Sequence, residues 1–196
     1  MPSLGRRSPL GADDRAAVSW RAEGLSIREM PFSGKLLLRG EIDQYAAQRI
    51  AAVLGDALPS APSVLQGADP RVLWLAPSRW LVLIAADKVA PLHAAIVAAT
   101  AGTHVAVSNI SDGRVEIEVK GNLAAELLAA GTTIDLHPRS FSAGRAAQTQ
   151  LARAGALIYH SGPDAFGVIV DASVGIYAWE WLTETGRRVV AAWVSI

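Results

Sequence analysis

The sequence predicts an α+β fold made from two copies of one unit, with antiparallel sheets. Each copy reads as a strand, a helix, a two-stranded hairpin, a second helix and a final strand. Three echoes in the same order support this, and an internal period of this kind governs the whole fold. Leu36–Gly40 (LLLRG) returns as Ile117–Gly121 (IEVKG), each an apolar strand signal ending in a basic residue and Gly. Leu75–Val89 returns as His160–Val174, with Pro77 against Pro163 at the turn and Trp80 against Phe166. The helical face Val89, Leu92, His93, Ile96 and Val97 returns as Val174, Tyr177, Ala178, Trp181 and Leu182. Both sets follow the i, i+3, i+4, i+7, i+8 spacing of a buried stripe.

Along the chain, residues 1–22 are rich in Gly, Pro, Ser and charge and read as a mobile arm. Arg6 and Arg7 are followed by no apolar run, so neither a secretory nor a twin-arginine signal is expected. The first half is placed at 23–110 and the second at 111–196, the two sharing one core. Pro59–Pro70 reads as a surface excursion, and Gly131–Gly144 as its irregular counterpart. Val115, Ile117 and Val119 alternate with Glu116, Glu118 and Lys120, which predicts a strand with one solvated face. His104–Ser108 and Arg188–Val194 are expected as the closing strands, with Trp193 in the second.

Composition excludes several chemistries. The 196 residues are 51% hydrophobic, so disorder is not the general state. Eighteen basic residues balance eighteen acidic ones, which argues against a phosphate-neutralising surface and hence against nucleic acid. With no cysteine there are no disulfides, thiolate metal sites or cysteine nucleophiles. His93, His104, His137 and His160 lie too far apart in sequence for helical metal-ligand spacing. No apolar run approaches the ~18–20 residues of a membrane span, and cytoplasm is the expected location. Neither a P-loop nor a dinucleotide fingerprint occurs. The acid pairs Glu41/Asp43 and Glu116/Glu118, and Asp135 beside His137, read as solvated or structural groups. No catalytic residue and no metal ligand is expected.

Six tryptophans against three phenylalanines point instead to contact surfaces. Ile176 and Trp179 lie off the stripe of the last helix, and a helix apolar on two faces is buried on two sides. Trp179 meets either the other half of the chain or a partner. Ile176, Trp179 and Trp20 are the candidate partner-contact residues.

One stretch carries a resemblance. Ser111-Asp112-Gly113-Arg114 precedes a strand, then come Gly121 and an alanine-rich segment, and then Asp135-Leu136-His137-Pro138-Arg139 with Phe141. Gln148-Thr149, the Ala156–Leu182 strand-turn-strand and helix, and the Pro-x-x-Trp hairpin at Leu75–Leu83 complete the pattern. Together these resemble the gamma subunit of heterotetrameric sarcosine oxidase. Thr132-Thr133 stands where that family usually has Cys-Pro, and Gly121-Asn122 where it has Gly-Pro; Asn122 is a competent helix cap. The resemblance implies a fold similar to the folate-binding domain of glycine cleavage system aminomethyltransferase. It implies an accessory, non-catalytic role beside alpha, beta and delta subunits that oxidise sarcosine to glycine. Oxygen would give hydrogen peroxide, and the one-carbon unit would leave as formaldehyde or as methylenetetrahydrofolate. FAD, FMN, NAD, zinc and tetrahydrofolate would then belong to the complex, and no cofactor to this chain.

Two other readings stand beside it. A self-standing folate-binding module would use Trp80 for stacking, Asp112 for the donor edge of a pteridine, and Arg114 and Arg139 for the glutamate tail. Asp112-Gly113 reads equally as a turn before the strand. A homo-oligomeric scaffold would place the tryptophan surface on copies of the same chain.

Overall fold

The computed structural model describes residues 7–11, 17–60, 65–66 and 69–195. In chain order, β1 (Ser19–Ala22), β2 (Leu25–Glu29) and β3 (Gly34–Arg39) precede α1 (Gln44–Leu54). β4 (Leu65–Gln66), β5 (Arg71–Ala76) and β6 (Arg79–Ile84) lead into α2 (Val89–Ala99) and β7 (Ala106–Asn109). β8 (Arg114–Lys120), α3 (Ala124–Ala129), β9 (Ala146–Leu151), β10 (Ala154–Gly162), β11 (Ala165–Asp171) and α4 (Gly175–Val194) follow. The chain forms two compact units: Phe32–Ser111, and the residues up to Pro31 together with those from Asp112 onward. No helix among the described residues is long and apolar enough to cross a membrane.

Phe32–Ser111 holds a five-stranded sheet in the order β4-β5-β6-β3-β7. Leu36, Leu38 and Val82 bury one face of it against Ile50 and Leu54 of α1 and Ile96 and Ala99 of α2. Local chemistry sets the helix ends. The Asp43 carboxylate accepts the Ala46 N–H at 2.7 Å as N-cap, and Gly55 closes α1 in the left-handed region. Asp43 is thereby a capping group rather than half of an acid pair.

The second unit holds a six-stranded sheet in the order β1-β2-β8-β11-β10-β9. Leu25, Ile27, Val115, Ile117, Val119 and Val168 pack with Leu127 and Leu128 of α3 and Ala178 and Leu182 of α4. Asn122 does not cap α3: Leu123 occupies the cap position, without a side-chain bond.

The expected repeat is present in fine detail. Ser78 and Asp164 both take positive φ, at 59° and 50°, directly after the turn prolines. Both hairpins carry a register shift on the approaching strand, at Trp74/Ala76 and at His160/Gly162. One element departs from it. Arg188–Val194 is not a strand but the end of α4, and Trp193 is a half-exposed helical residue. The strand order supplies the reason. β7 runs beside β3 with Ala106–Asn109 opposite Arg39–Leu36, whereas the equivalent place beside β8 is filled by β2, with Ser26–Glu29 opposite Lys120–Ile117. β2 precedes β3 yet pairs with β8, and β7 precedes β8 yet pairs with β3. The leading strand of each repeat lies in the other repeat's sheet, so the chain end has no strand position to fill.

This arrangement corrects two more expectations. β2, expected in the first half at 23–110, belongs with the second. The arm expected over 1–22 contains β1, which pairs with β2 through Ser19–Arg28 and Ala22–Leu25; its residues 1–6 and 12–16 lie outside the described residues. Because Ala191–Val194 are exposed, truncation after Val190 is expected to lower stability by under about 1 kcal/mol. Urea unfolding of the truncated chain measures this, and loss of the folded state would restore the strand reading.

Candidate functional site

The solvated face expected on β8 is dry at one position. Glu116 is buried, and the Tyr159 hydroxyl donates to its Oε1. Tyr159 lies opposite Gly167 on the neighbouring β11, and a side chain at Gly167 would collide with the tyrosine ring. The missing side chain lets the ring lie diagonally across β11 toward Glu116. A carboxylate out of water needs such a donor. Tyr159→Phe is therefore expected to cost about 1–3 kcal/mol, read from the urea midpoint. An unchanged midpoint would mean that the bond contributes nothing.

The Asp135–Phe141 stretch is a folded turn and not a catalytic pair. Asp135 Oδ1 accepts the His137 N–H at 2.9 Å, and Oδ2 accepts the Ser140 hydroxyl at 2.6 Å. His137 Nδ1 accepts the Arg139 N–H at 3.2 Å. Leu136 and Phe141 anchor the turn in the core. His160, also buried, lies between Phe141 and Phe166, and its ring centroid is 4.4 Å from that of Phe166. Its Nδ1 lies 2.7 Å from the Phe141 carbonyl oxygen and so carries the proton. The Ser140 hydroxyl bond, then the His137 N–H, hold the Asp135 carboxyl below the ordinary aspartate range. Being lower in the folded state, this pKa stabilises the fold at neutral pH. That contribution is lost as pH falls from the ordinary aspartate value through the folded one. Asp135→Asn is expected to flatten the stability profile below about pH 4, and an unaltered acid limb would contradict it. Thr132 bonds Thr149 through the two hydroxyls at 2.9 Å.

The four folate candidates are differently engaged. Trp80 belongs to the five-stranded unit, where its Nε1–H donates to the Pro59 carbonyl at 2.8 Å and its ring packs on the core. Asp112 sits exposed in a single 3₁₀ turn before β8. Arg114 forms a salt bridge with Asp171 across the β8–β11 ladder. Arg139 is exposed in the irregular stretch after α3. Asp112 is thus the turn residue, and Arg114 already holds a carboxylate of its own chain.

The candidate contact residues separate as well. Trp20 and Trp179 are partly buried against the core of the six-stranded unit, with the Trp20 ring over Gly186 of α4. Trp179 thus packs in part on the core of its own unit. Ile176 is 57% exposed at the start of α4 and remains the contact candidate. Tyr177, expected in the core stripe, is instead 37% exposed, and Val97 on α2 is exposed too.

Two surface clefts open beside these elements. One, of about 590 Å³, is lined by Glu41, Ile42, Asp43, Gly102, Thr103 and His104. The other, of about 530 Å³, is lined by Ala130, Gly131, Ala152, Arg153, Tyr177 and Trp181. Sequence reading missed the second cleft because Tyr177 and Trp181 fall on the apolar stripe. The signal it could have used was the positive charge of Arg153 at a hairpin tip.

Comparison with known proteins is decisive on family. Residues 39–187 match the sarcosine oxidase, gamma subunit family. Sarcosine oxidase subunit gamma of Corynebacterium sp. (strain U-96) is 30% identical over 195 residues, 97% of this chain and 94% of that one. The Arthrobacter sp. subunit gamma is 29% identical over 182 residues, covering 91% and 89%. Among solved structures, a chain of heterotetrameric sarcosine oxidase from Corynebacterium sp. U-96, in complex with pyrrole 2-carboxylate, superposes with a TM-score of 0.83. It is 28% identical, with 94% of this chain and 96% of that chain covered. Aminomethyltransferase T of the glycine cleavage system from Bartonella henselae shares the fold, with a TM-score of 0.59 and 17% identity over 79% of this chain and 44% of that one. The α+β fold with antiparallel sheets is therefore the one expected, and the chain belongs to the sarcosine oxidase gamma subunit family.

Proposed function

We propose that this chain is the accessory, non-catalytic gamma subunit of a heterotetrameric sarcosine oxidase, working in the cytoplasm with alpha, beta and delta subunits. The reaction of the assembly is oxidation of sarcosine to glycine with reduction of oxygen to hydrogen peroxide. Its one-carbon product is formaldehyde, or methylenetetrahydrofolate when tetrahydrofolate accepts it. FAD, FMN and NAD sit on the other subunits, and this chain supports assembly with the large subunit. The observation that carries the reading is likeness along nearly the whole length to a gamma subunit, in sequence and in fold.

Ile176 is the contact residue the geometry favours. Ile176 is 57% exposed and its neighbour Tyr177 37% exposed, so the first turn of α4 presents adjoining apolar surface of the kind that partner contacts cover. Ile176→Glu is expected to weaken capture of the large subunit about tenfold while leaving the circular dichroism of the chain unchanged. Pull-down from cells co-expressing the four subunits reads this, and equal capture by both forms would remove Ile176 from the interface.

A further inference from the structure

We propose that the cleft between the end of α3, the β9–β10 hairpin tip and the first turns of α4 binds a small aromatic carboxylate. The walls are fixed by backbone. The Ala152 N–H donates to the Gly131 carbonyl at 2.7 Å, which ties the hairpin tip to the segment after α3. Ala152 itself takes a φ of 53°, a conformation held only where surrounding contacts impose it. The Trp181 ring lies directly against Gly131: a Cβ there would stand 2.6 Å from Trp181 Cζ2. No side chain larger than hydrogen at 131 leaves the indole where it is. Tyr177, one turn earlier on α4, lines the same cleft and is 37% exposed. The result is a preformed cleft of about 530 Å³ with two aromatic residues in its wall, within the size range of small-molecule sites.

Charge selects the ligand. Arg153 lines the cleft and forms no salt bridge or hydrogen bond among the described residues. Aromatic walls alone would suit a cation as well as a ring, but the guanidinium repels cations and pairs with carboxylates through two parallel donors. The Gly131 carbonyl accepts the Ala152 N–H, which offsets part of its repulsion of an anion. Tyr177 and Trp181, which line the cleft, carry a hydroxyl and an indole N–H that make no hydrogen bond among the described residues. A flat apolar body bearing one carboxylate satisfies both the aromatic residues and the arginine.

The test uses the full-length chain, labelled with nitrogen-15, and benzoate as the probe. Benzylamine and benzyl alcohol serve as controls of the same shape. Benzoate is expected to shift the Trp181 indole N–H and the Gly131 and Ala152 amides with a dissociation constant of about 1 mM. Arg153→Gln should weaken binding about tenfold, and Tyr177→Ala several-fold, with the remaining resonances in place in both variants. Benzylamine should shift none of these signals. The proposal is overturned if benzoate leaves them unmoved at about 20 mM, if benzylamine binds equally, or if Arg153→Gln binds like the original chain. Benzyl alcohol binding as well as benzoate would also overturn it, because the cleft would then select rings and not carboxylates.

Discussion

Removing residues 1–31 is expected to abolish folding of the six-stranded unit, although those residues lie more than eighty positions before β8. β2 supplies Leu25 and Ile27, at 3% and 0% exposure, to the core shared by β8, α3 and α4. Each such side chain contributes about 1.5–3 kcal/mol on burial. The deletion also strips the β8 backbone of its ladder from Ser26 to Glu29 and removes Trp20 from over Gly186. Set against a total stability of about 5–15 kcal/mol for a domain, those losses are most of the margin. The check is the proton–nitrogen spectrum of the truncated chain. Collapsed amide dispersion for residues 112–195 is the expected result, and a native-like pattern there would mean that β2 is dispensable.

The second large effect is expected at Gly121. Its φ is 125°, a region that L side chains rarely adopt, and a Cβ would stand 2.8 Å from the Gly24 carbonyl carbon. Gly40 is its twin in the other unit, with φ 145° and a Cβ position 2.8 Å from Val105 Cα. Both glycines let the strand that leads into a helix pass close under the neighbouring strand. Alanine at 121 pays the backbone strain of about 1–3 kcal/mol and must also displace β2. A total loss of about 3–5 kcal/mol is expected, measured by urea unfolding. A loss below about 1 kcal/mol would show that the chain relaxes at this crossing without difficulty.

The repeat was legible because its signals are local. Leu36–Gly40 and Ile117–Gly121 carry strand patterns ending in Gly, and Pro77 and Pro163 mark the turns. The exchange of leading strands was not legible, because Leu25–Glu29 (LSIRE) and Ala106–Asn109 (AVSN) share no residue pattern. Only pairing with distant strands makes them equivalent. Arg188–Val194 has a short apolar run that serves a helix as well as a strand, and the strand reading fails because β2 already holds the place. Glu116 reads as solvated from its own strand; its burial depends on Tyr159, two strands away, and on the bare backbone of Gly167 between them. Residue types alone suggested Trp80, Asp112, Arg114 and Arg139 as a set. Residue type gives no position, and Asp171 and the Pro59 carbonyl already hold Arg114 and Trp80. The Asp-Leu-His-Pro-Arg stretch pointed to the correct family, while its side chains proved to build a turn.

The most direct test of the central claim is native mass spectrometry of material purified through a tag on this chain, after co-expression with the alpha, beta and delta subunits. One copy of each subunit in a single flavin-bearing complex, forming hydrogen peroxide when sarcosine is added, is the predicted result. This chain recovered alone or only as copies of itself, with the other three subunits assembled and active without it, would contradict the claim.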